Sequence, residues 1–160
     1  MAEHGVEAWY AAQSPAVRRY LLALTADPQL ADDLTQETFV QALVSVHGYR
    51  GGSVRAYLVG IARRVYARTV ERERREREAR ARSGAPPPGA EAEAFSEGEA
   101  VLPDLPADDR YLLVGRGIWR RPFAEIAQDL GRTENWARVR YFRLIARLRE
   151  DLGEAGERDV

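Results

Sequence analysis

The chain has 160 residues, 45% of them apolar and 31% charged, which is enough apolar material for a buried core in one or two domains. No apolar run approaches the roughly 20 residues needed to cross a bilayer, and the first residues lack the basic-then-apolar layout of a secretion signal, so the expected location is the cytoplasm. Cysteine is absent and the histidines are His4 and His47, far apart in sequence, which excludes a disulfide, a thiolate metal site and a cysteine nucleophile and disfavours most metallo- and acid-base enzymes; no catalytic residue, metal or cofactor is expected.

The net charge of -1 conceals an alternation along the chain. Residues 1–49 carry -4, 50–82 carry +7, 83–109 carry -7, 110–149 carry +7 and 150–160 carry -4. Two basic blocks separated by an acidic spacer suit two contacts with a polyanion, joined by a segment that such a surface repels. Every basic side chain is arginine, which brings bidentate and stacking chemistry wherever it lands.

Helix signals dominate and no strand alternation is visible, so the fold class is all-α. Ser14-Pro15 reads as a cap followed by proline in the first turn, opening a helix with Val17, Tyr20, Leu21 and Leu24 on one side. Asp27-Pro28 repeats the device and starts a second helix that runs to about Val46. The turn-prone stretch His47 to Gly52 follows, and Ser53 caps a third helix whose core stripe is Val54, Leu58, Ile61, Ala62 and Val65. From Ser83 to about Pro103 the composition shifts to Gly, Ala, Pro and Glu, which buries too little apolar surface to offset ordering entropy and reads as a flexible linker. A second helical unit begins at Leu105. Within it, Phe123 to Leu130 forms a short amphipathic helix stopped by Gly131, and Thr133 caps a longer helix through about Leu152, which gives helix, tight turn, helix.

Three faces point away from the expected core. On the second helix, Ala31, Leu34, Thr38, Phe39, Ala42, Leu43 and Val46 fall together inward, leaving Asp33, Gln36, Glu37, Val40 and Val44 outside. Valines on an outer face gain burial only if a partner covers them, so this face reads as either a docking ridge or a solvated surface with scattered valines. On the third helix, Arg63, Tyr66, Val70 and Arg74 lie opposite the core stripe, with Arg55 and Arg64 at its flanks, a mixture of ring and guanidinium that suits phosphate neutralisation and base stacking. On the last helix, Ala137, Tyr141, Leu144, Ile145 and Leu148 form the inner side. Asn135, Trp136, Val139, Arg140, Arg143 and Arg147 face outward, with Arg138 at the edge. A helix-turn-helix places this part of its second helix in the major groove; the plainer reading is a helical hairpin with a basic, solvated face.

The motifs resemble those of the extracytoplasmic-function sigma factors of bacterial RNA polymerase. The likeness lies in Tyr20 to Asp27 running into Ala31-Asp32-Asp33-Leu34-Thr35-Gln36-Glu37-Thr38-Phe39. It continues in Tyr49 to Leu58 with Gly60-Ile61-Ala62-Arg63, and after the linker in Leu105 to Arg110, Phe123 to Ala127 and Ala146 to Arg149. The resemblance implies a sigma region 2 bundle over residues 5–82, a flexible acidic linker over 83–103 and a sigma region 4 helix-turn-helix domain over 104–153. It implies that Asp33, Gln36, Glu37, Val40 and Val44 dock on the beta-prime clamp helices of core RNA polymerase, and that the C-terminal domain packs on the beta flap. Tyr49, Arg50, Ser53, Arg55, Arg63, Arg64 and Tyr66 would serve the minus-ten element. Thr133, Asn135, Trp136, Arg138, Val139, Arg140, Arg143 and Arg147 would serve the minus-thirty-five element. Promoter DNA and an anti-sigma factor are the further partners implied, with no membrane insertion.

Some positions depart from the family's common pattern: Arg64 stands where asparagine is frequent, Trp136 where threonine is, and Val139 where serine is. Arg120-Arg121-Pro122 replaces glycine and small polar residues, with Pro122 expected as the first residue of its helix and the entry turn changed. The alternatives that the residues leave open are a conventional helix-turn-helix regulator that does not bind core polymerase, and a helical adaptor whose arginines are only solvated.

Overall fold

A computed structural model describes residues 2–84 and 105–158, and among them all regular structure is helical. The helices are α1 (Ala2–Thr25), α2 (Pro28–Ser45), α3 (Val54–Ser83), α4 (Ala107–Leu113), α5 (Phe123–Leu130) and α6 (Glu134–Arg158). A short 3-10 turn, Val46–Gly48, follows α2, and a π-helical turn, Val114–Ile118, follows α4. No described helix is long and apolar enough to cross a membrane. The expected linker at 83–103 lies outside the described residues from 85 onward; Ser83 itself still belongs to α3, which closes on a left-handed Gly84.

Local chemistry sets most helix ends. The Asp27 side chain accepts hydrogen bonds from the Gln29 and Leu30 amides at 3.0 and 3.3 Å, and Pro28, which has no amide hydrogen to satisfy, opens α2. Ser53 caps α3 by accepting from the Ala56 amide. The expected start of the first helix at Ser14 is corrected, because α1 begins at Ala2 and Pro15 lies inside it. An interior proline removes a backbone hydrogen bond and costs about 3 kcal/mol. The preceding turns offset that by burying Val6 and by setting Trp9 edge-on against the rings of Tyr49 and Tyr57.

The helices α1, α2 and α3 enclose a core of Val17, Tyr20, Leu21, Leu24, Ala31, Ala42, Leu58, Val59 and Ala62, all buried. Thr35 and Thr38 enter it because each hydroxyl donates to the carbonyl four residues earlier, both at 2.7 Å. Two inward assignments on α2 are corrected. Leu43 is 48% exposed and Val46 only half-buried, because the C-terminal end of α2 carries this side past the bundle into a 3-10 turn. Tyr66, expected on the outer face of α3, is half-buried, with its hydroxyl 3.4 Å from the Leu24 carbonyl to which it donates.

The second group, α4 to α6, packs Leu112, Ile126, Ala127, Ala137 and Leu144 together. It also packs on the first group: the Tyr20 and Tyr111 rings lie 5.1 Å apart, and a Cβ added to Gly131 would lie 2.7 Å from the Ala56 Cβ. At this contact Asp108 of α4 accepts from Tyr20 at 3.0 Å and from Arg63 through both its oxygens, at 2.9 and 2.8 Å.

Burial pushes the Tyr20 phenol well above its ordinary value near 10, and the Asp108 carboxylate pushes the same way while Arg63 partly opposes them. Burial and then Asp129 do the same to Tyr111. A phenol that holds its proton more tightly when folded contributes stability that is fully present below its unfolded pKa and is lost as pH rises beyond it. Tyr20→Phe is therefore expected to flatten the fall in unfolding free energy above about pH 10, measured by urea denaturation across that range. Parallel profiles for wild type and variant would contradict the assignment.

Candidate nucleic-acid interface

On α2, residues three and four apart share a face, and Asp33, Gln36, Glu37, Val40 and Val44 are all exposed along one side of the helix. Val44 is 75% exposed. The misassigned Leu43 joins Val40, and together with Tyr10 of α1 they border a groove of about 480 Å³ floored by Val6 and Phe39. Glu37 accepts from the Gln41 side chain, which holds its carboxylate in place on the surface. The face is a ridge with acids at its start and apolar side chains at its end. This exposed apolar area gains free energy only when another surface covers it.

The turn into α3 is built by Gly51 and Gly52, whose φ values of 91 and 86 suit glycine. Tyr49 donates its hydroxyl proton to the Gly52 carbonyl at 2.6 Å, and its ring packs against Trp9 and Tyr57. Arg50, Ser53 and Arg64 are exposed around this loop and helix. Arg55 and Arg63 differ from them: Arg55 donates to Gln13 at 2.8 Å and to Asp129 of α5 at 3.2 Å, while Arg63 is held by Asp108. Tyr66 points back toward the bundle. The residues foreseen for one DNA surface thus divide into an open set and a set facing the C-terminal helices.

The α5–α6 pair has the geometry of a helix-turn-helix. Gly131, at φ 69, ends α5 with its own amide donating to Gln128 and the Arg132 amide to Ala127, satisfying two terminal carbonyls. Thr133 then accepts from the Trp136 amide at 3.1 Å and starts α6. Asn135, Arg138, Val139, Arg143 and Arg147 are exposed on α6. Trp136 is half-buried beneath the Arg132 guanidinium, 5.1 Å from its ring, and Arg138 is paired with Glu134 at 2.8 Å. Arg140 is turned inward, donating to both oxygens of the buried Asp109 at 2.9 and 2.7 Å; these hydrogen bonds raise its pKa against the opposing effect of burial. Pro122 is the residue before α5 and not its first helical residue: its ψ of 143 keeps it extended, and the entry turn passes through Arg120 at φ 55.

Three carboxylates escaped the sequence reading. Asp129 is fully buried, accepts from Tyr111, and lies within 2.9 Å of Arg121, 3.2 Å of Arg55 and 3.8 Å of Arg19. Asp108 and Asp109 entered the sequence reading only as part of the motif Leu105 to Arg110, with no partner assigned; the structure places both in the first turn of α4. Exposed Phe142, beside Phe123 and Tyr141, was missed as well; its place one residue after Tyr141 on α6 was the available signal.

Residues 9–76 match the family model described as Sigma-70 region 2. The ECF RNA polymerase sigma factor SigM of Bacillus subtilis (strain 168) is 39% identical over 56 residues, covering 35% of this chain and 34% of that protein, so the match spans about a third of the curated relative. The sigma factor RpoE of Bartonella quintana, solved in complex with the anti-sigma factor NepR, has 22% identity and a TM-score of 0.52, over 92% of this chain and 96% of its own. The family resemblance and the all-helical fold read from the sequence are borne out by these likenesses.

Proposed function

We propose, from the premise that residues 9–76 belong to the Sigma-70 region 2 family, that this chain is a promoter-specificity factor of the extracytoplasmic-function kind. It docks on core RNA polymerase, recognises and melts promoter DNA, and directs initiation without chemistry of its own. Residues 5–82 serve as the region 2 module and 104–153 as the region 4 module, joined by 83–103.

The observation that carries this reading is the exposed α2 ridge lying inside the matched residues. Asp33, Gln36 and Glu37 lead into Val40 and Val44, acids and apolar groups in sequence along a face whose members are all exposed. A regulator that only binds duplex DNA has no use for such a ridge; a subunit that must grip the beta-prime clamp helices has. The exposed Arg50, Arg64 and Ser53 with the Tyr49 loop support the minus-ten assignment; Arg55 and Arg63 belong to the same assignment but are held by carboxylates in this arrangement, and Tyr66 is turned toward the bundle. The capped α6, with Asn135, Val139, Arg143 and Arg147 outward, supports major-groove reading of the minus-thirty-five element, where arginine bonds guanine and an apolar side chain meets the thymine methyl. Melting is then driven by binding, because captured bases offset an unstacking cost of a few kcal/mol each. The beta flap and an anti-sigma factor are further partners in this reading.

Run-off transcription from genomic templates with purified core polymerase tests the whole proposal. Initiation that depends on the added chain is expected, and its absence overturns the reading. Glu37→Arg is expected to abolish association with core polymerase, measured by co-elution, while the helical circular-dichroism spectrum stays intact; association like wild type would remove the ridge from the docking surface. Arg143→Ala is expected to weaken binding to upstream promoter duplex and to reduce the slope of log affinity against log salt by about 0.9. An unchanged slope would place the phosphate contact elsewhere.

A further inference from the structure

The side chains that the proposed function assigns to DNA are not equally available. Arg50 and Arg64 are exposed, whereas Arg55 and Arg63 of α3 are each tied to a carboxylate of the C-terminal helices. Arg63 meets Asp108 through both its oxygens, the fork geometry with which arginine also grips a phosphate. Arg55 shares Asp129 with Arg121 and Tyr111. Between these two points the backbones approach closely, since the space beside Gly131 is filled by Ala56 of α3. The same inward turn affects α6, whose Arg140 is occupied by Asp109.

We propose that the described arrangement is a latched state in which Asp108 and Asp129 take the place of DNA phosphates on α3, so that the C-terminal helices and a DNA strand compete for Arg55 and Arg63. This rests on the promoter-binding reading. That reading itself requires separation, because about 25 base pairs between the two promoter elements extend over roughly 85 Å, while α3 and α5 here touch. Arg50 and Arg64 supply a first contact for a strand without disturbing the latch. Exchange at Arg63 and Arg55 then follows, with each phosphate replacing a carboxylate. The Asp108 pair is partly exposed, so it is weak enough to be exchanged, and a strand with several phosphates displaces it by mass action.

The absence of native cysteine allows a donor–acceptor dye pair at two exposed positions on opposite sides of the contact, introduced as Gln29→Cys and Gln128→Cys in the full chain. High energy transfer is expected for the free chain, falling when random-sequence single-stranded DNA is added. Asp108→Asn keeps the side-chain shape but removes the charge that holds Arg63. It should lower transfer without DNA and tighten single-strand binding about two- to five-fold, because a larger fraction of the chain is competent to bind. Ala56→Leu, which leaves every carboxylate in place and wedges the contact beside Gly131, should lower transfer as well, with the circular-dichroism spectrum of both variants unchanged.

Transfer that stays high while DNA is demonstrably bound overturns the latch and leaves the promoter reading standing. So does an Asp108→Asn chain that opens without binding DNA more tightly. If neither wild type nor Asp108→Asn binds single-stranded DNA and neither supports run-off transcription, the promoter reading falls and the competition falls with it.

Discussion

The arrangement of the two helical groups depends on one buried carboxylate. Asp129 has no exposed surface, yet it accepts from Tyr111 and faces the guanidiniums of Arg19 from α1, Arg55 from α3 and Arg121 from the turn before α5. An unpaired charge there would cost several kcal/mol, so α5 is tolerated in this position only where those donors converge. Arg121 reaches Asp129 and the Tyr111 hydroxyl because the π-helical turn and the left-handed Arg120 redirect the chain before α5. Buried pairs of this kind give orientation more than net stability; here they set which face of α5 meets α3.

The alternation of charge along the chain acquires a spatial meaning from this contact. Its basic block in α3 meets acids of the C-terminal helices, while the long arginine-glutamate run at the end of α3 pairs within itself, Arg74 with Glu71 and Glu78. Such exposed pairs contribute little to stability, but they keep that end of the helix from presenting a uniform basic surface. The apolar end of the α2 ridge lies apart from both, whereas its first residues do not: Gln36 shares a cleft with Trp119 and Arg121, and Asp33 and Glu37 share one with Arg68 and Arg72. Its valines and Leu43 stay uncovered in this arrangement.

What was legible in the sequence was local. The caps Asp27, Ser53 and Thr133, the stop at Gly131 and the core stripe of α3 all depend on side chains bonding backbone within a few residues, and the structure has them where spacing placed them. The errors arose where tertiary packing overrode a local rule. Pro15 signals a helix start, yet Val6 and Trp9 find partners upstream of it; Leu43 fits the inward stripe, yet the bundle ends before it. The exposed ridge on α2 was readable because outer valines break the usual pattern. The pairing of Arg63 with Asp108 and of Arg55 with Asp129 was not, since those partners lie 45 and 74 residues apart and no periodicity links them.

The central claim is that carboxylates of the C-terminal helices hold α3 until DNA takes their place. Amide hydrogen exchange on the complete chain, alone and in complex with core polymerase and a promoter bubble, tests this at α4. The account predicts that protection of the α4 amides around Tyr111, whose ring packs on Tyr20 in the free chain, falls on forming the complex while the buried α3 amides around Leu58 to Ala62 stay protected. Undiminished protection of α4 in the transcribing complex would contradict it.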